Sequence, residues 1–345
     1  MDNLSGYRIG YEQLSPHEKK AYDLFEKSFS SFAKSVDSSS ISKNVDVMKV
    51  LQVALGDNPR VIYFNKTQIK VSGSLFGGKQ IQFCGTYSSN QIRKMNQEID
   101  RMVSSIMEEI SLLNPLSDYD KLMCIYEYLQ DYITYDSKEL EYTCRHGSSL
   151  NPASHNAYGA LIEKTAVCDG ISAAFSLLAQ QMGYDCTIVS GSAAFMTKGF
   201  SSHAWNLIRV GDKFYHIDAT WDINHYQQTK EYSYEYFCVN DDSINVDHNW
   251  DIKSTPPCNN EDISFYIKSG CFANTLSQID EIFTRYAKSK TQVVRLKVSD
   301  RIAIPEPNDT FLAQKLIDIS SQFRGGVSIQ FVWNKDTRCF YAKFS

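Results

Sequence analysis

The chain has 345 residues, 43% of them hydrophobic and 13% aromatic, with a formal net charge of -5; this composition suits a water-soluble globular protein of two or three compact units. Lys and Arg are scattered among acids rather than gathered into a stripe, so no nucleic-acid partner is expected. No run approaches the roughly 18 apolar residues of a membrane span, and the first thirty residues lack the charged-then-apolar order of a secretion signal.

Nine cysteines, from Cys84 to Cys339, form no CxxC pair, so neither a disulfide framework nor a zinc ribbon is expected. A soluble protein of a reducing, cytoplasmic setting is the simpler expectation. An extracellular one holds if an export signal before Met1-Asp2-Asn3 was trimmed.

The first helix is announced by Ser15-Pro16-His17-Glu18, with a capping residue, Pro at the first helical position and Glu three after the cap. Its apolar face is Tyr22, Phe25, Phe29 and Phe32. Residues 35–42 are Ser-rich and read as a turn, and a short helix spans Val47 to Leu55. The runs Val61-Ile62-Tyr63-Phe64, Gln68-Ile69-Lys70-Val71 and Gln80-Ile81-Gln82-Phe83 read as strands of a small sheet. From Asn90 a long helix sets Ile92, Met95, Ile99, Val103, Ile106 and Ile110 on one stripe, and a second carries Leu122, Ile125, Tyr126 and Leu129. The stretch from Asp136 to His155 has little periodicity and reads as a long surface loop. Beyond about residue 262 the pattern changes. Ser264 to Ile267 reads as a strand, Leu276 to Tyr286 as a helix, Gln292 to Val298 as a strand and Phe311 to Phe323 as a helix. A hairpin of Val327 to Trp333 and Arg338 to Phe344 turns at Asn334-Lys335-Asp336.

The chemistry lies between His155 and His248. Ala166-Val167-Cys168-Asp169-Gly170 runs into a helical segment through Ala179 that ends at Gly183, which puts Cys168 at a helix N-terminus. Unpaired backbone N–H groups and the helix dipole there favour a thiolate. Further on, Ser202-His203-Ala204-Trp205-Asn206 and Lys213-Phe214-Tyr215-His216-Ile217-Asp218 flank Gly211-Asp212 as a tight hairpin. A two-residue turn pairs Val210 with Lys213 and sets Trp205 opposite Asp218. His203 and Asp218 are then diagonal neighbours on one face, roughly 7 Å apart at Cβ. A thiol at a helix start, a histidine and an acid that orients it make a nucleophile, base and orienter set.

Cys168-Asp169-Gly170, His203-Ala204-Trp205-Asn206 and Asp218-Ala219-Thr220-Trp221-Asp222, in that order, resemble the three core motifs of the transglutaminase-like superfamily of cysteine acyltransferases and proteases. Tyr236-Phe237 and Asp247-His248-Asn249-Trp250 resemble the tail of its bacterial members. The resemblance implies an α+β, papain-like core in which a cysteine-bearing helix packs on an antiparallel sheet. Around that core it leaves a helical and β N-terminal region over residues 1–115, the catalytic core over 116–260 and a small α+β domain over 261–345. It implies Cys168 as nucleophile, His203 as base and Asp218 as orienter, acting on a protein or peptide substrate without a cofactor. The thioester formed is resolved by water in proteases or by a lysine amine in crosslinking enzymes. The oxyanion hole in such enzymes pairs the cysteine N–H with an upstream side-chain donor, for which Tyr158 and Asn156 are candidates. Trp205 and Trp221 are candidate cleft walls that keep water from the ion pair.

Plainer readings compete. A lone cysteine before an apolar helix is ordinarily structural; two ordered partners move Cys168 to the catalytic reading. Asp222 lies four residues past Asp218, and the hairpin count favours Asp218 as the orienter. His216 shares the strand face and is expected to pack near the site without acting. His225, His248, Cys144 and His146 match no known metal-ligand spacing, so no metal is expected. A thiol peptidase or amidohydrolase is the favoured function, because no calcium-loop pattern and nothing to shield a thioester accompany the motifs. A protein-crosslinking transglutaminase and a catalytically silent peptide-binding module are the alternatives.

Overall fold

The computed structural model describes residues 8–73, 79–85, 87–194, 199–289, 291–305, 307–320 and 328–345. After a short helix α1 (Ile9–Glu12), helix α2 (Pro16–Ser30) starts at the expected capping box: Ser15 Oγ accepts from Glu18 N, and Glu18 Oε2 accepts from Ser15 N at 2.9 Å. A cap of this kind contributes about 1 kcal/mol. Tyr22, Phe25 and Phe29 are buried. Phe32 lies just past the helix, in the left-handed region at φ 52° and only partly buried. The Ser-rich segment is not all turn, since Ser35–Asp37 forms strand β1. Helix α3 spans Val47–Asp57. Strands β2 (Phe64–Gly73) and β3 (Lys79–Gly85) complete a three-stranded sheet in the order β1-β3-β2. Of the run expected from Val61, only Phe64 joins a strand; Val61, Ile62 and Tyr63 enter the core as irregular chain.

Helices α4 (Ser89–Leu112) and α5 (Asp118–Tyr132) both begin with capping boxes, at Ser88 and Ser117. All six stripe residues of α4, and Leu122, Ile125, Tyr126 and Leu129 of α5, are buried. Each such side chain contributes about 1.5–3 kcal/mol on leaving water, which outweighs any propensity effect along these helices. After the two-residue strand β4 (Thr134–Tyr135) comes the largest departure from expectation. The stretch read as a surface loop holds helix α6 (Ser137–His146) and a 3-10 turn (Pro152–His155). Asp136 caps α6 and Gly147 closes it at φ 63°, a conformation suited to glycine.

The centre of the molecule follows in α7 (Ala157–Leu161), β5 (Thr165–Ala166) and α8 (Cys168–Gln181). Next come β6 (Asp185–Ala194), β7 (Phe200–Val210), β8 (Lys213–Ile217), α9 (Thr220–Thr229), β9 (Phe237–Val239), α10 (Asp241–Ile244) and β10 (His248–Asn249). The sheet is antiparallel with order β10-β6-β7-β8-β9. Helix α8 is buried from Gly170 through Ala179 and packs on β6 and β7, the expected cysteine-bearing helix on an antiparallel sheet. Polar ties fix its placement. Asn206 Nδ2 donates to Ser172 O and Ser176 Oγ, both at 2.9 Å, and Ser172 Oγ donates to Ala204 O at 3.1 Å. Gly170 is required for the close approach, because a Cβ there would lie 2.4 Å from Ser154 O.

One hydrophobic core runs from Leu14 to Cys238, and a separate one from Ala273 to Phe344. After the short helix α11 (Phe265–Lys268), the latter belongs to β11 (Phe272–Ala273), α12 (Leu276–Ser289), β12 (Val293–Val298), α13 (Asn308–Ser320), β13 (Ile329–Asn334) and β14 (Cys339–Phe344). Its four strands lie in the order β11-β12-β14-β13, with β11 parallel to β12. The expected strand at Ser264 to Ile267 is instead the short helix α11, whose first turn follows Ser264 in extended, cap-like geometry. The expected residues 321–323 of the last helix and Val327 of the hairpin lie outside the described residues. This unit docks on the segment after α9: Lys343 pairs with Glu231 at 2.7 Å, Arg295 Nη2 donates to Tyr232 O at 2.7 Å, and Asn334 and Thr337 donate to Glu235. No helix among the described residues is long and apolar enough to cross a membrane.

Candidate active site

The hairpin register is the one counted from the turn. Val210 pairs with Lys213 and Asn206 with Ile217, and Gly211 takes φ 63°. One step beyond the ladder, Asp218 leaves β8 with its N–H on Tyr236 O at 3.1 Å. The same count sets Asp218 diagonal to His203, and their side chains meet: His203 Nε2 lies 2.7 Å from Asp218 Oδ2, with Asp218 only 1% exposed. Asp218 Oδ1 accepts from Thr220 N at 2.9 Å. Cys168 is the first residue of α8, half-buried, and its thiol is near enough to His203 to help raise the imidazole. Nε2 is engaged by Asp218, which leaves Nδ1 as the ring nitrogen for the thiol.

Burial opposes charge on His203, but Asp218 and then Cys168 outweigh it and raise the imidazole to about 9. Burial would raise the Asp218 carboxyl, yet His203 and His248 hold it well below the usual carboxylate range. Asp222 behaves oppositely. Burial, with the charge of Asp218, pushes it to about 6, although Tyr126 Oη and Glu235 N both donate to its Oδ2, at 2.7 and 2.9 Å. It packs beneath the site and does not touch His203 through any hydrogen bond among the described residues.

Two tryptophans flank the imidazole. Trp205 is fully buried, with its ring 6.0 Å from His203, and Trp221 lies 5.7 Å from the same imidazole. Both oxyanion candidates make hydrogen bonds away from the thiol. The Tyr158 hydroxyl donates to Glu98 at 2.6 Å, while Asn156 caps α7 through Oδ1 and donates from Nδ2 to Pro152 O at 3.1 Å.

Three neighbours were not foreseen. Tyr135 stands on β4, paired with Ala166 two residues before Cys168. Burial, then the charges of Cys168, Asp169 and Asp218, push its phenol far above the ordinary value, so it stays an O–H donor within electrostatic reach of the thiol. His155 bridges Asp169, 3.1 Å from Nδ1, and Glu139, 2.9 Å from Nε2. Glu139 Oε2 also accepts the N–H groups of Leu150 and Asn151. This bridge ties α6 and the 3-10 turn to the residue after Cys168. The third neighbour is His248, whose Nε2 lies 3.1 Å from the same Asp218 Oδ2 that holds His203. The only sequence hint of the three was the His-Asn-Trp tail motif.

Two groups among the described residues bring three possible metal ligands together, His203-Asp218-His248 and His216-Asp241-Cys258. In the second, Trp205 Nε1 donates to His216 Nδ1 at 3.0 Å. That fixes the tautomer, so Nε2–H donates to Asp241 at 2.8 Å and offers no lone pair to a metal. Burial lowers the His216 pKa, in keeping with a neutral ring. In the first group every Nε2 faces a carboxylate oxygen, and shared protons account for the distances. Of the other residues weighed as ligands, Cys144 and His146 are exposed, and burial lowers His225 to about 4.

Residues 108–219 match the family described as the transglutaminase-like superfamily. The match takes in Cys168, His203 and Asp218. No curated protein matches the chain. Among solved structures, "Crystal structure of a TGase" is 15% identical with a TM-score of 0.32 and 44% of each chain covered. "The Crystal Structure of a Putative Cysteine Protease from Cytophaga hutchinsonii" is 12% identical with a TM-score of 0.27, covering 44% of this chain and 61% of that one. The overlap spans less than two thirds of either structure's chain. The assignment rests on the family match over residues 108–219, together with a cysteine-bearing helix on an antiparallel sheet: the chain carries a domain of the transglutaminase-like superfamily.

Proposed function

We propose that this protein is a thiol peptidase or amidohydrolase that acts on peptide or isopeptide amides of a protein substrate, with Cys168, His203 and Asp218 as its working residues. In this reading the core over 116–260 is flanked by supporting units over 1–115 and 261–345. The observation that carries it is a histidine held by a buried carboxylate at 2.7 Å, with the Cys168 thiol at a helix start close enough to act on the same imidazole.

The Cys168 proton passes to His203, and the sulfur attacks the amide carbonyl carbon to form a C–S bond. As the tetrahedral oxyanion collapses, the C–N bond breaks and His203 returns its proton to the leaving amine. Water, deprotonated by the same imidazole, then cleaves the thioester and restores the thiol. The Cys168 N–H at the start of α8 is assigned to the oxyanion, and Tyr135 is assigned the side-chain donor role in place of Tyr158 and Asn156. Water is taken as the acceptor because Cys168 is partly exposed and β7 enters the site through exposed Phe200, Ser201 and Ser202.

A low dose of iodoacetamide read by mass spectrometry tests the nucleophile without knowledge of the substrate. Burial pushes the thiol of Cys186 up to about 12 and those of Cys238, Cys258 and Cys339 higher still, so they should stay unlabelled. Cys144 is exposed and serves as the internal control. Cys168 is expected to react at least tenfold faster than Cys144 near pH 7, and His203→Ala to remove that advantage. Equal rates at the two cysteines in the parent would sink the reading. Challenging the acylated enzyme with a lysine-like amine separates the alternatives. Amide formation faster than hydrolysis points to crosslinking, and no acylation at all points to a silent module.

Tyr135→Phe is expected to slow acyl-enzyme formation by roughly 10- to 100-fold, the scale of one lost oxyanion donor, while iodoacetamide labelling of Cys168 stays within about twofold. An unchanged acylation rate removes Tyr135 from this role.

A further inference from the structure

His248 reaches the site from a strand unconnected to the catalytic hairpin. On β6, Gly191 pairs with His203 of β7 and Ala193 pairs with His248 of β10. Gly191 and Ala193 are two apart on one strand and so share a face. With only a hydrogen and a methyl group between them, the two imidazoles meet above β6 at 5.4 Å. A larger residue at 191 is excluded, since even a Cβ would lie 2.4 Å from Asn249 O and 2.8 Å from the Trp205 ring.

The His248 side chain is fully buried, and both its nitrogens face carboxylates: Nδ1 lies 2.6 Å from Asp247 Oδ1 and Nε2 lies 3.1 Å from Asp218 Oδ2. A neutral imidazole has one donor and one acceptor, and an acceptor nitrogen against an ionised carboxylate is repelled. Only the imidazolium satisfies both partners. Asp247 is itself held from its other oxygen by the Tyr236 hydroxyl at 2.5 Å. Trp205 and Trp221 close the ring in at 4.9 and 5.1 Å.

We propose that His248 is a positioning residue of the acyl-transfer site, a buried imidazolium clamped between Asp247 and Asp218 that holds Asp218 Oδ2 in place for His203. The proposal rests on the catalytic reading of Cys168 and His203. Asp218 then receives three N–H groups, from His203, His248 and Thr220, and cannot rotate. Its single negative charge is shared by two cations. His248 therefore weakens the pull of Asp218 on the whole His203 ring, so that Nδ1 is less basic and releases its proton more readily to the leaving amine. In agreement, burial opposes charge on His248 but Asp218 and Asp247 prevail and raise it to about 9. The ionisable groups around it are Asp218 at the end of β8, His203 on β7, Asp247 beside it, Tyr236 before β9 and His216 on β8, with Asp222 and Glu235 one layer beyond. Among them His216 is neutral and Tyr236 is a phenol.

The first measurement is imidazole 15N NMR on the intact parent protein. His248 is expected to keep both ring nitrogens protonated from pH 5 to 8; loss of a proton near pH 6.5 overturns the proposal whatever the enzyme's activity. The second measurement is the pH profile of Cys168 alkylation in His248→Gln and Asp247→Asn. Removing a positive charge raises every neighbouring pKa, so His248→Gln should move the thiolate-forming limb to higher pH by roughly half a unit to one unit. Asp247→Asn, which lets His248 lose its proton, should move the limb the same way by less. Folded variants with the parent's profile would make His248 a packing residue only and overturn the proposal. If Cys168 shows no selective alkylation in the parent, the catalytic reading fails instead, while the NMR result still decides the charge of His248.

Discussion

Cys168→Ala is expected to abolish acyl transfer and to leave the protein folded. The substitution removes one sulfur from a half-buried position at the first residue of α8, where alanine is a good helix former. The lost packing costs about 1 kcal/mol or less. The helix is held by groups this change does not touch: the buried run from Gly170 to Ala179 and the Asn206 bonds to Ser172 and Ser176. The chemistry has no such reserve. The remaining buried thiols on this side of the core are pushed upward by desolvation and cannot substitute. Circular dichroism and thermal melting should match the parent within a few degrees, and mass spectrometry should find no thioester adduct at any substrate concentration. Turnover equal to the parent's would falsify the assignment of the nucleophile.

The proximity of the proposed site residues was legible because each lies in a locally coded element. Cys168 stands between a turn and an apolar helical run, and a Gly-Asp turn between two β-rich segments fixed the alternation that sets His203 against Asp218. Side-chain period two makes such a register all-or-none, so one correct turn sufficed. His248 had no comparable code. Its strand has two residues, and its neighbour Ala193 lies 55 positions upstream. Tyr135 was hidden in the same way, since its partner strand is two residues long and parallel.

The misread elements share a cause. Helix α6 has no apolar stripe. Glu139 is its only buried residue, and its tertiary contacts are polar ones to His155, Leu150 and Asn151. Hydrophobic periodicity is silent about such a helix, although the caps at Asp136 and Gly147 were in plain view. Strand β1 is three residues with a single buried side chain, too short for any period to show. At Ser264 to Ile267 the β-rich Phe-Tyr-Ile outvoted a serine in cap position, and tertiary burial of Tyr266 settled the short helix. The stripes of α4 and α5 succeeded because six and four buried apolar residues dominate any local preference.

Asp218→Asn is expected to slow acyl-enzyme formation by roughly 10²- to 10⁴-fold, toward the upper end if the carboxylate must fix the tautomer and toward the lower end if the thiolate–imidazolium pair forms without help. The hydrogen-bond inventory gives the reason. Asp218 Oδ2 accepts from His203 and His248, and Oδ1 accepts from Thr220 N. An amide has one oxygen. With that oxygen toward the histidines, its NH2 opposes Thr220 N–H; flipped, the NH2 opposes two imidazole N–H groups. Either way buried donors are left unsatisfied, at about 1–3 kcal/mol each, and His203 is driven to the wrong tautomer. Asp222→Asn faces a milder conflict, because Tyr126 Oη and Glu235 N converge on one oxygen and its further partner Ser233 has a hydroxyl that can turn to accept. Its folded pKa of about 6 lies above the ordinary carboxylate value. The native state therefore binds the extra proton between about pH 4 and 6, and the parent loses stability as pH rises through that window. The Asn variant should show a flatter dependence there and acylate within about threefold of the parent. Single-turnover acylation of both variants, with melting curves from pH 4 to 8, decides the matter. A crippled Asp222→Asn beside a Asp218→Asn that reacts like the parent would mean that the orienting acid is Asp222.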